Sequence, residues 1–174
     1  MKGEVTIVKR NVDTDEITGE YTYENVIVDN TYHTQLGVGS AFGNPPSSPY
    51  PPAYRAIGMT EIEILPGINI FALSPGNLGA SHIPYNQFIS DTYTPATLTT
   101  PAIVEMVYTF TPPSTTTRNI RTVYLYQYND TGSYMRSYVA LNPPCTQSIT
   151  EYLTITYRIF ADILTPTSIG GFAR

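Results

Sequence analysis

The stretch NIRTVYLYQYNDTGSYMRSYVAL, residues 119–141, decides how this chain folds. Two runs rich in Val, Leu, Tyr and Thr flank Asn129-Asp130-Thr131-Gly132-Ser133, residues that hydrogen-bond their own backbone or accept positive φ. That pattern is a β-hairpin. Side chains alternate along a strand, so Val123 and Leu125 share one face while Tyr124, Tyr126 and Tyr128 share the other. In the second run Met135, Val139 and Leu141 lie opposite Tyr134, Arg136 and Tyr138. A five-residue loop that pairs Tyr128 with Tyr134 brings aliphatics together and tyrosines together. After a short NPPCTQ link, SITEYLTITYRIFADI (148–163) predicts a third strand. It places Ile149, Leu153, Ile155, Tyr157 and Ile159 on one face and Thr150, Tyr152, Thr154, Thr156 and Arg158 on the other. The expectation is an antiparallel sheet with one packed face and one Tyr/Thr/Arg face. Leu125, Val139, Leu153 and Ile155 should then sit in the core on one continuous apolar face.

Upstream, alternation predicts a first strand over Gly3–Arg10, a polar turn over Val12–Gly19 and a second strand over Glu20–Asp29 that completes a hairpin. Thr31–Gly39 has no clear period. Ser40–Pro52, SAFGNPPSSPYPP, is too rich in proline for a helix or a central strand and reads as an extended arm lying against a neighbour. Strand character returns over Tyr54–Leu65 and Ile68–Leu73, separated by the Pro66-Gly67 turn. Ser74–Ala80 reads as a loop, and Ser81–Thr100 is ambiguous. Ala102–Thr111 is a strand with Val104, Met106, Tyr108 and Phe110 inward, followed by the loop PPSTTT. The tail at about 164–174 is expected to be mobile unless a partner holds it. The sum is one all-β domain over residues 1–174, an antiparallel β-sandwich or jelly-roll-like fold with long Pro/Gly-rich loops and about seven to ten strands.

Composition narrows the function. Charged residues are only 13% of the chain, with 15 Tyr, 15 Pro and no Trp, so exposed strand faces would carry amphipathic tyrosine rather than charge. Such a surface suits a protein with neighbours, a homo-oligomer above all. A net charge of −5 with Lys only at Lys2 and Lys9 argues against nucleic-acid binding. No hydrophobic run suggests a secretory signal or membrane insertion, so synthesis in a cytoplasm is expected. A single cysteine, Cys145, excludes an internal disulfide and reads as a small apolar residue in a loop.

Catalytic and ligating patterns are weak. Asp13, Asp15, Glu16 and Glu20 lack a full calcium-loop pattern and read as a solvated turn. His33 and His82 stand apart from any ligand spacing, and Ser81-His82 lacks a nucleophile elbow. Asn129-Asp130-Thr131 matches a glycosylation pattern but reads as a turn. Glu105 has no partner carboxylate at a spacing that would serve glycoside hydrolysis. No cofactor, metal or enzymatic role is expected. The informative patch is the tyrosine face: Tyr124, Tyr126, Tyr128, Tyr134 and Tyr138 with Arg136. It reads as a subunit interface, with Pro45, Pro46, Pro49, Tyr50 and Pro51 of the arm as further contacts; a sugar-stacking platform and plain core under a second sheet are the alternatives.

Several segments also carry a resemblance. The spaced Ile120, Val123 and Leu125, the Gly132 turn, the Met135-Arg136 step, the proline link and the closing LTITYRI (153–159) resemble a C-terminal module of small bacteriophage tail-fibre and related virion structural proteins. GEVTIVKRN (3–11), YENVIVDNTYHTQLGVGSAFG (23–43) and YRAIGM (54–59) resemble the opening of the same proteins. The resemblance spans about two thirds of the chain and rests on strands and turns, not on a catalytic signature. It implies a self-assembling virion component of the tail or neck in a fibre, spike or adaptor role. Its expected partners are copies of itself, other virion proteins and a host surface glycan. A capsid decoration protein and a carbohydrate-binding module are the alternatives.

Overall fold

The computed structural model describes residues 2–24, 27–28, 55–64, 75–129 and 132–160. These residues form ten strands: β1 (Lys2–Asn11), β2 (Ile17–Glu24), β3 (Ile27–Val28), β4 (Arg55–Thr60), β5 (Ile83–Pro84), β6 (Gln87–Thr94), β7 (Ile103–Phe110), β8 (Arg118–Asn129), β9 (Gly132–Gln147) and β10 (Glu151–Phe160). A four-residue helix, α1 (Pro75–Leu78), and a 3-10 turn (Gly79–Ser81) stand where a plain loop was expected. Two antiparallel five-stranded sheets pack together, ordered β2-β1-β10-β7-β6 (sheet A) and β3-β9-β8-β4-β5 (sheet B). The fold is the all-β sandwich that the alternation predicts. The proline arm at 40–52, the expected strand at 68–73 and the tail at 164–174 lie outside the described residues.

Sheet A follows period-2 arithmetic closely. Val5, Ile7 and Lys9 of β1, Val104, Met106, Tyr108 and Phe110 of β7, and Leu153, Ile155, Tyr157 and Ile159 of β10 are all buried, and the residues between them are partly exposed. The β1–β2 connection is set by Asn11, whose Oδ1 accepts from the Asp13 and Thr14 amides at 2.9 and 3.1 Å. Asp15 takes the left-handed conformation, φ 59°, that closes the turn.

The hairpin forms, with two departures from the expected register. Near its tip Tyr128 faces Ser133 and Gln127 faces Tyr134, one residue off the predicted pairing. A bulge at Arg136 absorbs the slip, so Tyr124 faces Tyr138 and Val123 faces Val139, as predicted. Further along, Ile120 pairs with Cys145 while Thr122 pairs with Ala140, so residues 141–144 bulge out opposite Arg121. Pro143 and Pro144 lie in this bulge, where a missing N–H costs no ladder bond, and the Asn142–Pro143 peptide is cis. NPPCTQ is therefore a bulge and a resumed strand rather than a link. Cys145, expected in a loop, is buried within β9.

The third strand does not extend the hairpin sheet. β9 pairs with β8 and, at Ser137 and Tyr138, with β3, and β10 instead lies between β1 and β7 in sheet A. Likewise the predicted second strand divides: β2 pairs with β1, and β3 crosses to pair with β9. Leu125, Val139, Leu153 and Ile155 are all core residues, but they come from two facing sheets and not from one continuous face. The Ser137 Oγ–Tyr157 Oη hydrogen bond, 2.7 Å and buried, spans the gap between them. Ile149 precedes β10 and is 52% exposed, so it does not join the core face.

Burial on alternate residues predicts an uneven mutational response. Leu153→Ala should cost about 2–5 kcal/mol, whereas Thr154→Ala, on the outer face of the same strand, should stay within about 0.5 kcal/mol. Urea melts of the two variants compare them directly, and equal costs would contradict a one-sided sheet A.

Candidate functional site

The tyrosine face is the first place to look, and it is not open. Tyr124, Tyr126 and Tyr138 are 0%, 8% and 3% exposed. Because Ser137 reaches Tyr157, the residues that share its face, Val123, Leu125, Val139, Ile57 and Met59, point into the sandwich. The tyrosines therefore point away from sheet A, and a second cover lies over them. Part of that cover is the segment from α1 to β5. His82 Nδ1 hydrogen-bonds the Tyr124 hydroxyl, and the His82 ring meets Tyr126 edge-on at 5.6 Å. Thr122 Oγ1 donates to the Ile62 carbonyl at 2.8 Å on the same side. Gly58 makes room for this layer, since a Cβ there would come within 2.6 Å of the Tyr124 ring. Burial raises the proton affinity of the Tyr124 hydroxyl and lowers that of His82. The expectation of an interface or sugar platform at Tyr124, Tyr126 and Tyr138 is thus corrected: these rings are covered within the subunit. The side chains of Tyr128, Tyr134 and Arg136, and Pro45, Pro46, Pro49, Tyr50 and Pro51 of the arm, lie outside what is described. So does His33.

A second polar group closes one end of the sandwich. Lys9 continues the inward row of Val5 and Ile7, and an inward lysine demands partners. It donates to the Thr146 carbonyl at 2.8 Å and pairs with Glu151 at 3.2 Å. Burial alone would raise the Glu151 carboxyl, but donors from the Ser148 amide, Thr18 and Lys9 outweigh it and hold the group below its ordinary 4.5. Gln147, fully buried, donates to the Thr111 and Glu151 carbonyls at 3.1 and 3.0 Å and accepts from Arg118 at 3.2 Å. Cys145 lies beside this group. Burial, more than any charge, pushes its thiol up to about 11, so it stays protonated at neutral pH and is a poor nucleophile. Sequence reasoning passed over this network, although a lysine at an inward position of an alternating strand was its signal.

The third arrangement is the outer face of sheet A. Arg158 lies between Glu4 and Glu105 on neighbouring strands, its Nη1 2.8 Å from Glu4 and its Nε 2.6 Å from Glu105. Glu105 thus meets a second carboxylate's ion pair, and the two carboxylates share the one guanidinium of Arg158, which suits structure and not proton transfer. The next row across the sheet is Thr22, Thr6, Thr156, Val107 and Ser90, all short side chains. The acidic residues near the β1–β2 turn form a solvated corner in which Tyr152 donates to Asp15 and Arg10 donates to the Asp15 carbonyl. Among the described residues no group of three or more His, Cys, Asp or Glu side chains is placed to hold a metal, and no helix is long and apolar enough to cross a membrane. No family model, curated protein or solved structure matches this chain.

The Glu151 network predicts an acid response of definite sign. A carboxyl held below its ordinary value contributes full stability above about pH 4.5 and loses it as pH falls through the lower folded value. Glu151→Gln should lower stability near neutrality by about 1–3 kcal/mol by unpairing Lys9. It should also flatten the acid limb of a stability curve measured by urea melts across pH.

Proposed function

We propose that this chain is a self-assembling structural protein of a bacteriophage particle, a tail or neck component in a fibre, spike or adaptor role. Its working location is then the virion, and its partners are copies of itself and other virion proteins. The strand-and-turn resemblance supports this reading, as does the low charge. The observation that carries it is the outer face of sheet A. Five strands present a surface whose central row, Thr22, Thr6, Thr156, Val107 and Ser90, is short and partly β-branched. Side chains of this kind lose little rotamer freedom on docking. Beside that row Glu4 and Glu105 already bond Arg158, so covering them sacrifices fewer water contacts than covering free carboxylates would. With three tyrosines of sheet B covered from within, sheet A is the broader described face left for a neighbour.

The expected outcome is association through sheet A. Sedimentation should show species larger than the 19.2 kDa chain, and Thr156→Arg should shift them toward monomer while the β-type circular dichroism stays unchanged. A wild-type chain that remains monomeric from about 1 to 100 μM would reject the proposal, since a standard interface of about 1,600 Å² normally binds within that range.

A further inference from the structure

We propose that His82 is a pH-released clasp: it holds residues 75–84 over the tyrosine face of sheet B, and protonation of its imidazole frees this segment and uncovers Tyr124. Besides the His82–Tyr124 bond, α1 packs against β9 and Asn77 makes a further interaction, yet no residue of the segment is fully buried. Neither α1 nor the 3-10 turn contains a buried residue. Leu78 and Ile83 are only partly buried against the core. Strand β5 meets β4 through two residue pairs, Met59–Ile83 and Gly58–Pro84, and Pro84 has no amide to donate. Segments held this weakly supply the low-energy openings of a protein.

His82 is the only charged or titratable residue in positions 75–84. Among the described side chains of the face that it covers, β8 contributes Tyr124 and Tyr126, β9 contributes Tyr138, and residues 56–60 of β4 contribute none. In the neutral tautomer that carries its proton on Nε2, Nδ1 accepts from the Tyr124 hydroxyl. Protonation puts a proton on Nδ1, so the fully buried Tyr124 hydroxyl loses its acceptor. The Tyr126 ring attracts a cation, yet the net effect of this site is to disfavour the imidazolium, with burial as the cause. Released into water, the imidazole regains its ordinary proton affinity near 6.5. The opening equilibrium should therefore rise by up to about tenfold per pH unit between the open-state and closed-state values.

Hydrogen–deuterium exchange of the intact chain at about pH 7.5 and about pH 5, corrected for intrinsic rates, tests this directly. Expected is a loss of protection confined to the peptide spanning 75–84, with sheet A unchanged. His82→Gln should abolish the step and His33→Gln should preserve it. A pH-independent segment, a step that survives in His82→Gln, or one lost in His33→Gln would overturn the proposal. Should His82→Gln fail to fold, the His82 ring resonance of the wild-type chain decides. A titration midpoint below 6.5 that coincides with the loss of protection upholds the clasp, and a midpoint at or above that value overturns it.

Discussion

Strand β8 is buried on both faces, and most of the architecture answers that constraint. A strand that alternates aliphatic and tyrosine side chains needs two covers of different chemistry. Sheet A supplies the apolar one, so that Val123 and Leu125 lie in the sandwich core at 0% exposure. The other cover must accept aromatic rings and also satisfy their hydroxyls, because a buried hydroxyl without a partner costs more than its hydrogen bond is worth. His82 provides that partner for Tyr124, and Gly58 provides the space in which the ring lies across β4. The outer side of sheet B is therefore a layer of the fold and not a free surface.

The two sheets are joined by polar contacts as well as by apolar packing. Ser137 and Tyr157 meet within the core, Tyr23 donates to the Pro143 carbonyl at 3.1 Å, and Lys9 bonds the Thr146 carbonyl. These are directional contacts between strands far apart in sequence, and they discriminate against sliding of one sheet over the other in a way that side-chain burial alone does not. Gln147 performs the same office at the end of β9, where it draws together the ends of β7, β8 and β10. The exposed side of sheet A has no such cover among the described residues. Arg158 pairs there with Glu4 and Glu105, and the central row is short, which is why the proposed assembly is placed there.

How far the sequence could be read depended on whether the deciding constraint was local. Alternation in β1, β7 and β10 determined which side chains of each strand are buried, and Asn11 marked its own turn, because a strand's period and an Asx turn act over a few residues. Tyr124, Tyr126 and Tyr138 were likewise correctly assigned to a common face, whereas the slip near the tip pairs Tyr134 with Gln127, away from them. What covers that face was not legible: the periodicity of Tyr124 and Tyr126 is the same whether a neighbouring subunit, a ligand or residues 75–84 lie above it. Only the placement of His82, more than forty residues upstream of Tyr124, decided it. Sheet membership was settled in the same way. Strand β10 follows β9 in the chain, but its backbone groups bond to β1 and β7 in the facing sheet. The Arg136 bulge moved the hairpin register by one residue near its tip without leaving a mark in the hydrophobic pattern. The sequence by itself thus determined the class of fold, most of the strands and the buried faces of β1, β7 and β10, while the tertiary structure decided their partners, because backbone pairing is chosen by competition among distant strands that share the same period.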